Sequence, residues 1–380
     1  MNANDGDWMK KSIKRIAVAL LLLLGLTVAY FCFWPVPVEP VSWEAPDAPG
    51  YAGVHARNTK LAELTVVDLN DHTGPEHIAI GDDGKIYTGV NGGSILRMEQ
   101  DGTGVDVFAE TDGRVLGIDF DAAGHLIVAD AFRGLLSVDP SGHVAVLASE
   151  AEGKPIGFAD AVIVASSGLI YFSDASQRYP PTDWNHHHET EHAANLDILE
   201  QSSTGRIIEY DPESGSTRVI ARGLSFANGV ALSSDEQSLF VAETGRYRIW
   251  RISVDASQVD FRQPDPEAQL ILDNLPGFPD NLMRGRDGRI WVGLTAPRIA
   301  VLDDTSAKPF LRKLIARMPQ ALRPVPVAYG HVIAFSEDGE VVEDLQDPGG
   351  AFPTTTGVTE TADRLYIHTL NSKGLAWLNR

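Results

Sequence analysis

Residues 76–90, EHIAIGDDGKIYTGV, decide the fold. A short apolar run leads into a tight turn at Asp83-Gly84, and a second run of β-branched and aromatic residues follows. The unit recurs with turns at Ala123-Gly124, Ser167-Gly168, Asp235-Glu236, Asp287-Gly288 and Ala362-Asp363. After each turn stands a strand-like stretch, as in LIVAD at 126–130, IYFSD at 170–174 and LFVAE at 239–243. A third strand, a second turn such as Asp101-Gly102 or Ser141-Gly142, and a fourth strand complete the unit. Four short strands, repeated six times, predict an all-β chain folded as a six-bladed β-propeller with four antiparallel strands per blade. The last unit stops at its third strand, 375–378, and an orphan strand, LAELTVVDL at 61–69, precedes the first. Pairing the spare strand with the incomplete unit closes the last blade and leaves no open seam.

Seven residues before the six turns stand Glu76, Leu116, Asp160, Asn228, Asp280 and Thr355. In a ring, equivalent positions converge on one axis. Glu76, Asp160, Asn228 and Asp280 then bring three carboxylates and an amide together, with no thiolate or imidazole among them. That donor set suits a hard divalent cation, Ca²⁺ before Mg²⁺. A single acidic or amide residue before a strand more often caps a turn. Four at one repeat position favour the shared site.

The N-terminus is a separate segment. Residues 1–15 carry Lys10, Lys11, Lys14 and Arg15, and residues 16–34 are nineteen uncharged, mostly apolar positions. At about 1.5 Å per residue, that stretch is close to one bilayer core. Basic residues ahead of it predict a single-pass signal anchor, with residues 1–15 cytoplasmic and the remainder on the periplasmic, extracytoplasmic or lumenal side. A cleaved signal peptide is the rival reading, but Ala29-Tyr30-Phe31-Cys32 offers no small-x-small cleavage site. Residues 35–54, with Pro35, Pro37, Pro40, Pro46 and Pro49, read as a stiff extended linker leading to the propeller at 55–380. Two short helical stretches, 189–201 and 305–321, interrupt repeats three and five, where they would roof one face of the ring.

The formal net charge is −21, and residues 1–34 are themselves net basic. So acidic a surface repels nucleic acid and anionic lipid, and no basic patch stands out to reverse either expectation. The sole cysteine, Cys32, lies in the apolar segment, so the propeller has neither disulfide nor thiolate-bound zinc.

Three stretches carry a family resemblance: GLSFANGVALS at 223–233, VAET at 241–244 and NLPGFPDN at 274–281. GRVLGI at 113–118 and VADA at 128–131 agree with them. The chain resembles the strictosidine synthase-like proteins, a family that includes the membrane-anchored adipocyte plasma membrane-associated proteins. These belong to the calcium-dependent superfamily of gluconolactonases, senescence marker protein/regucalcin and paraoxonases. The resemblance implies Ca²⁺ at the top of the central channel, held by Glu76, Asp160, Asn228 and Asp280, with Asn281 as a fifth position. Relatives often have Asn where this chain has Asp160, which adds a negative charge.

The resemblance also narrows the reaction. The glutamate that alkaloid-forming synthases use in the sixth blade falls here at Thr355 or Thr356, so true strictosidine synthesis is not expected. The paraoxonase histidine falls at Leu116. What remains is calcium-dependent hydrolysis of a small ester or lactone, with Asp280 as base by analogy with related lactonases. The alternative is a non-catalytic propeller in which calcium is structural and the top face binds a partner. His188-Glu189-Thr190-Glu191-His192 matches the H-E-x-x-H zinc motif in letters, but residues 193–197 lack the metzincin continuation. A solvated His-rich lid over residues 186–192 is the reading adopted.

Overall fold

The computed structural model describes residues 3–182, 189–319 and 322–380. Among these, six antiparallel sheets form the blades of a propeller. Blade one comprises Ile78–Ile80, Ile86–Gly89, Ser94–Met98 and Asp106–Glu110. Blade two comprises Val115–Phe120, Leu126–Asp130, Gly134–Val138 and Val144–Ala148. Blade three is built from Ala159–Val164, Ile170–Asp174, Gly205–Asp211 and Ser216–Leu224, with Val259–Asp260 added in parallel at its outer edge. Blade four holds Ala227–Leu232, Ser238–Glu243, Arg248–Ser253 and Ala268–Leu272. Blade five holds Gly277–Arg284, Arg289–Pro297, Gly330–Ser336 and Val341–Asp347. The innermost strands of neighbouring blades touch all round the ring, the sixth meeting the first.

Burial explains the composition of each strand. The second strand of a blade is covered on both faces by the adjacent blades, so Leu126–Asp130 and Ile170–Asp174 are buried throughout and read as near-continuous apolar runs. The outermost strands face water on one side, and Asp106–Glu110 is correspondingly mixed. Packing between blades supplies the core, as where Ile127 and Ala129 of blade two meet Phe172 and Ile208 of blade three.

Blade six consists of Thr355–Glu360, Arg364–Thr369 and Leu375–Asn379, closed by Thr65–Val67. Thr65 pairs with Trp377, and Val67 with Leu375. The paired segment is shorter than the 61–69 expectation. Leu61 and Leu69 flank it as buried anchors in two different inter-blade cores.

Helix α1, Ala3–Phe33, contains an apolar window, Trp8–Phe33, long enough to cross a bilayer, and none of it is buried against the propeller. The helix begins well before the apolar stretch because Lys and Arg are good helix formers. Residues 36–48 are extended but do not hang free. Val38 is fully buried, the Val41 amide donates to the Glu200 carbonyl at 2.8 Å, and the Trp43 amide donates to the Ser306 carbonyl at 3.3 Å. This strap crosses helix α2, Glu189–Glu200, which is inserted in blade three. The blade-five insertion forms two helices, α3, Ala300–Asp304, and α4, Pro309–Arg317, where one was expected over 305–321. Pro309 has no amide hydrogen and fits only the first turn of a new helix, so the chain must break before it.

Candidate metal centre

The side chains at the hub are aimed by a repeated irregularity. In blades two to six the innermost strand loses register with its neighbour, and the skipped positions include Leu116, Asp160, Asn228, Asp280 with Asn281, and Thr356. Such a bulge frees one residue from strict alternation and re-aims its side chain. Each bulged strand must also lie close to its neighbour. A Cβ on Gly117 would sit 2.6 Å from the Asp160 carbonyl oxygen, and one on Gly229 would strike the backbone of Asp280 and Leu282. Glycine at these two positions lets successive ligand-bearing strands touch.

Glu76, Asp160, Asn228 and Asp280 line one pocket, together with Leu116. All four polar residues are buried, none more than 6% exposed. Asp160 Oδ1, Asn228 Oδ1, Asp280 Oδ1 and Asn281 Oδ1 have no hydrogen-bond partner among the described residues. Buried oxygens are rarely left so. Two of them belong to carboxylates and two to amides, and with Glu76 they match the oxygen-rich donor set of a hard cation. Asn281 does not line the pocket with the other four; its Nδ2 donates to the Glu76 carbonyl at 3.1 Å, and Thr356 Oγ1 donates to the same oxygen at 2.7 Å. Blades five and six are thereby tied to the segment that leads into blade one.

Burial and mutual repulsion raise the proton affinity of the acids. Glu76 is pushed up to about 7 by burial, against the pull of Arg114. Asp160 is raised well above the usual carboxylate range by burial and then by Glu76, with Arg114 again opposing. Asp280 is raised by burial, then by Glu76 and Asp160, while the Asn281 amide and the Asn228 side chain act the other way. A bound cation would offset this repulsion.

Arg114 was not foreseen as part of the site. Its Nη2 donates to Glu76 Oε2 at 2.5 Å, and its side chain is almost wholly buried. It lies two residues before Leu116, within a stretch noticed only for its family likeness. Phe158, Phe226 and Phe278, each two residues before a polar hub residue, form pocket walls. The same counting that located the hub would have found this collar. Carboxylates at the ends of second strands hold the collar in place. Asp174 Oδ1 accepts from the amides of Gly157 and Phe158 at 3.0 and 2.8 Å, and Glu243 Oε1 accepts from the Ser225 amide at 3.0 Å.

The cavity is about 150 Å³, with Ile198 of α2, Ile299, Leu302 of α3 and Pro326 closing over it. Both insertions therefore roof the hub. Thr355 and Thr356 are buried with their hydroxyls bonded to backbone carbonyls, Thr355 to Leu294 and His331 and Thr356 to Glu76. Neither replaces an acid. Of the His-rich segment, His186 to His188 fall outside the described residues, and His192 is exposed on α2.

A six-bladed ring whose hub gathers acidic side chains under an apolar collar defines the class. Comparison with known proteins agrees with it. The family model described as "Strictosidine synthase-like, N-terminal" matches residues 53–98, and "Strictosidine synthase" matches residues 160–257. The chain is 32% identical to the adipocyte plasma membrane-associated protein of Danio rerio, covering 96% of this chain and 89% of that protein. It is 34% identical to strictosidine synthase-like 10 of Arabidopsis thaliana, covering 75% and 79%. Among solved structures, a gluconolactonase from Xanthomonas campestris superposes with a TM-score of 0.59 at 20% identity, covering 91% of this chain and 98% of that one. The calcium-binding protein regucalcin from Agrobacterium tumefaciens superposes with a TM-score of 0.55 at 14% identity, covering 83% and 92%. The chain belongs to the strictosidine synthase-like family, and its propeller has the gluconolactonase and regucalcin fold.

Proposed function

We propose that the protein is a Ca²⁺-dependent hydrolase of lactones or carboxylic esters, anchored by α1 with its N-terminus cytoplasmic and its propeller on the opposite side. The observation that carries this reading is the set of orphaned oxygens from Asp160, Asn228 and Asp280 on the floor of an apolar cup. Glu76, Asp160, Asn228, Asp280 and Asn281 would hold the ion. Bound there, Ca²⁺ supplies Lewis acidity toward a carbonyl oxygen and offsets the negative charge that develops on it.

The protein's own groups do the rest. The collar of Phe158, Phe226 and Phe278 excludes bulk water and seats the apolar part of the substrate. Asp280 lines the pocket with one carboxylate oxygen unpartnered among the described residues, and serves as the base that takes a proton from water. The water oxygen bonds to the carbonyl carbon, the bond to the leaving oxygen breaks, and the proton passes to that oxygen. Arg114 holds the Glu76 carboxylate in place and favours its ionised form.

The test uses the full chain in detergent against a panel of small lactones and aryl acetates, with and without EGTA. Turnover should vanish with chelator and fall at least 100-fold in Asp280→Ala, while circular dichroism stays native. Calcium binding by calorimetry with no turnover on any substrate would replace the enzyme reading with the binding-module reading. The hydrogen bonds that tie blades five and six to the Glu76 carbonyl suit a structural cation in that case.

A further inference from the structure

The roof of the pocket and the end of the apolar helix are one continuous structure. Tyr30 Oη donates to the Arg317 carbonyl at 3.0 Å, and Arg317 Nε donates to the Trp34 carbonyl at 2.6 Å. The last turn of α1 therefore abuts the last turn of α4, and a bilayer spanned by α1 ends at the level of the roof. Tyr30 and Trp34 are the aromatic types that settle at that level.

The blade-five insertion is built for such a boundary. Residues 305–328 contain Lys308, Arg312, Lys313, Arg317 and Arg323 and no acidic residue, in a chain of net charge −21. Arg312 and Arg317 are buried, whereas Lys308 and Arg323 are exposed. Between and beyond them, Phe310, Leu322, Val325 and Val327 are 55%, 65%, 80% and 70% exposed. Apolar side chains beside basic ones on a short amphipathic element are the composition of an interfacial segment. The general acidity of the chain had argued against any contact with lipid, and this segment is the local exception.

The same loop is a wall of the active pocket. Pro326 lines the cavity while Val325 and Val327 on either side of it point outward. A cavity of about 150 Å³ is smaller than the roughly 300–1,000 Å³ that engulfs a drug-sized ligand. It has room for a reacting group and not for a long chain.

We propose that residues 308–319 and 322–327 dock on the membrane in which α1 is rooted, and that the pocket draws amphiphilic, long-chain esters or lactones from the lipid–water interface. The docking half stands on contact geometry and on the anchoring of α1 proposed above. The substrate half rests on the hydrolase reading above.

The two halves are tested separately on the full chain in lipid vesicles. For docking, a polarity-sensitive fluorophore is attached to Val325→Cys in a Cys32→Ser background, with Ser167→Cys, on an exposed turn of the opposite face, as control. A lipid-borne quencher should quench the label at 325 at least threefold more than the label at 167. Equal quenching overturns docking, whatever the activity. For the substrate, Val325→Asp/Val327→Asp should cut turnover of a vesicle-borne long-chain aryl ester at least fivefold and leave a water-soluble aryl acetate unchanged. Equal effects on both esters overturn interfacial delivery. Should the unmodified protein turn over neither ester, the hydrolase reading and the substrate half fail together, and the quenching result still decides docking.

Discussion

At the scale of single residues, the hub is a cluster of acids that a folded protein without an ion holds at a cost. Glu76 has its proton affinity raised from an ordinary 4.5 to about 7. Between those values the folded state holds a proton that the unfolded state has released, so the cluster's contribution to stability falls as pH rises through that window. The buried histidines His77, His331 and His368 are shifted down and act in the opposite sense, but they are common to both states of the ion site. Their contribution therefore cancels in the difference between the two states. Calcium-loaded minus chelated stability, from urea unfolding, should widen by roughly 1 to 3 kcal/mol between pH 5 and pH 8. A gap that narrows over this range would contradict a carboxylate-bound cation. Gly229→Ala tests the close approach of the ligand-bearing strands. Its new methyl strikes the backbone around Asp280, so stability should fall by about 1–3 kcal/mol and calcium affinity should fall with it. Unchanged calorimetric affinity would show that strand spacing does not set the site.

At the scale of elements, the strands were legible and the roof only partly so. Each blade announces itself through a turn and a pair of apolar runs, and the hub residues inherit a fixed phase from that turn. The strap over 36–48 has no such phase, since a proline-rich extended segment looks alike whether it is free or packed. What fastens it is side-chain chemistry from distant elements. Arg312 of α4 donates to the carbonyls of Leu199 and Val41 at 3.0 and 2.8 Å, and Glu200 of α2 accepts from the Glu39 amide at 2.7 Å. Arg114 escaped notice for the same reason: its partner, Glu76, is 38 residues away. Arg312→Ala removes charge-assisted hydrogen bonds to two part-buried carbonyls, a local cost of roughly 1.5–3 kcal/mol. Cleavage within residues 35–50, followed by limited proteolysis and mass spectrometry, should then accelerate about 10- to 100-fold. The urea midpoint of the ring should barely move. A strap that resists protease as before would mean that the other contacts suffice.

At the scale of the whole molecule, stability depends on closing a ring whose two ends come from opposite ends of the chain. Three residue pairs between Thr65–Val67 and Leu375–Asn379 make a short ladder, too short to hold a seam by hydrogen bonds alone. The flanking leucines complete the closure. Leu61 packs with Trp291, Val332 and Leu365 across blades five and six, and Leu69 packs with Ile78, Ile86 and Tyr366 across blades one and six. One anchor thus bonds the closing strand to each neighbour of the seam. Leu61→Ala and Leu69→Ala should each destabilise the protein by about 2–5 kcal/mol, as core truncations do, although both residues lie outside the six repeats. The two anchors occupy separate clusters, so the double variant should lose close to the sum of the single losses. Either change costing less than about 0.5 kcal/mol, the range of an ordinary surface substitution, would show that the ring does not depend on its N-terminal strand.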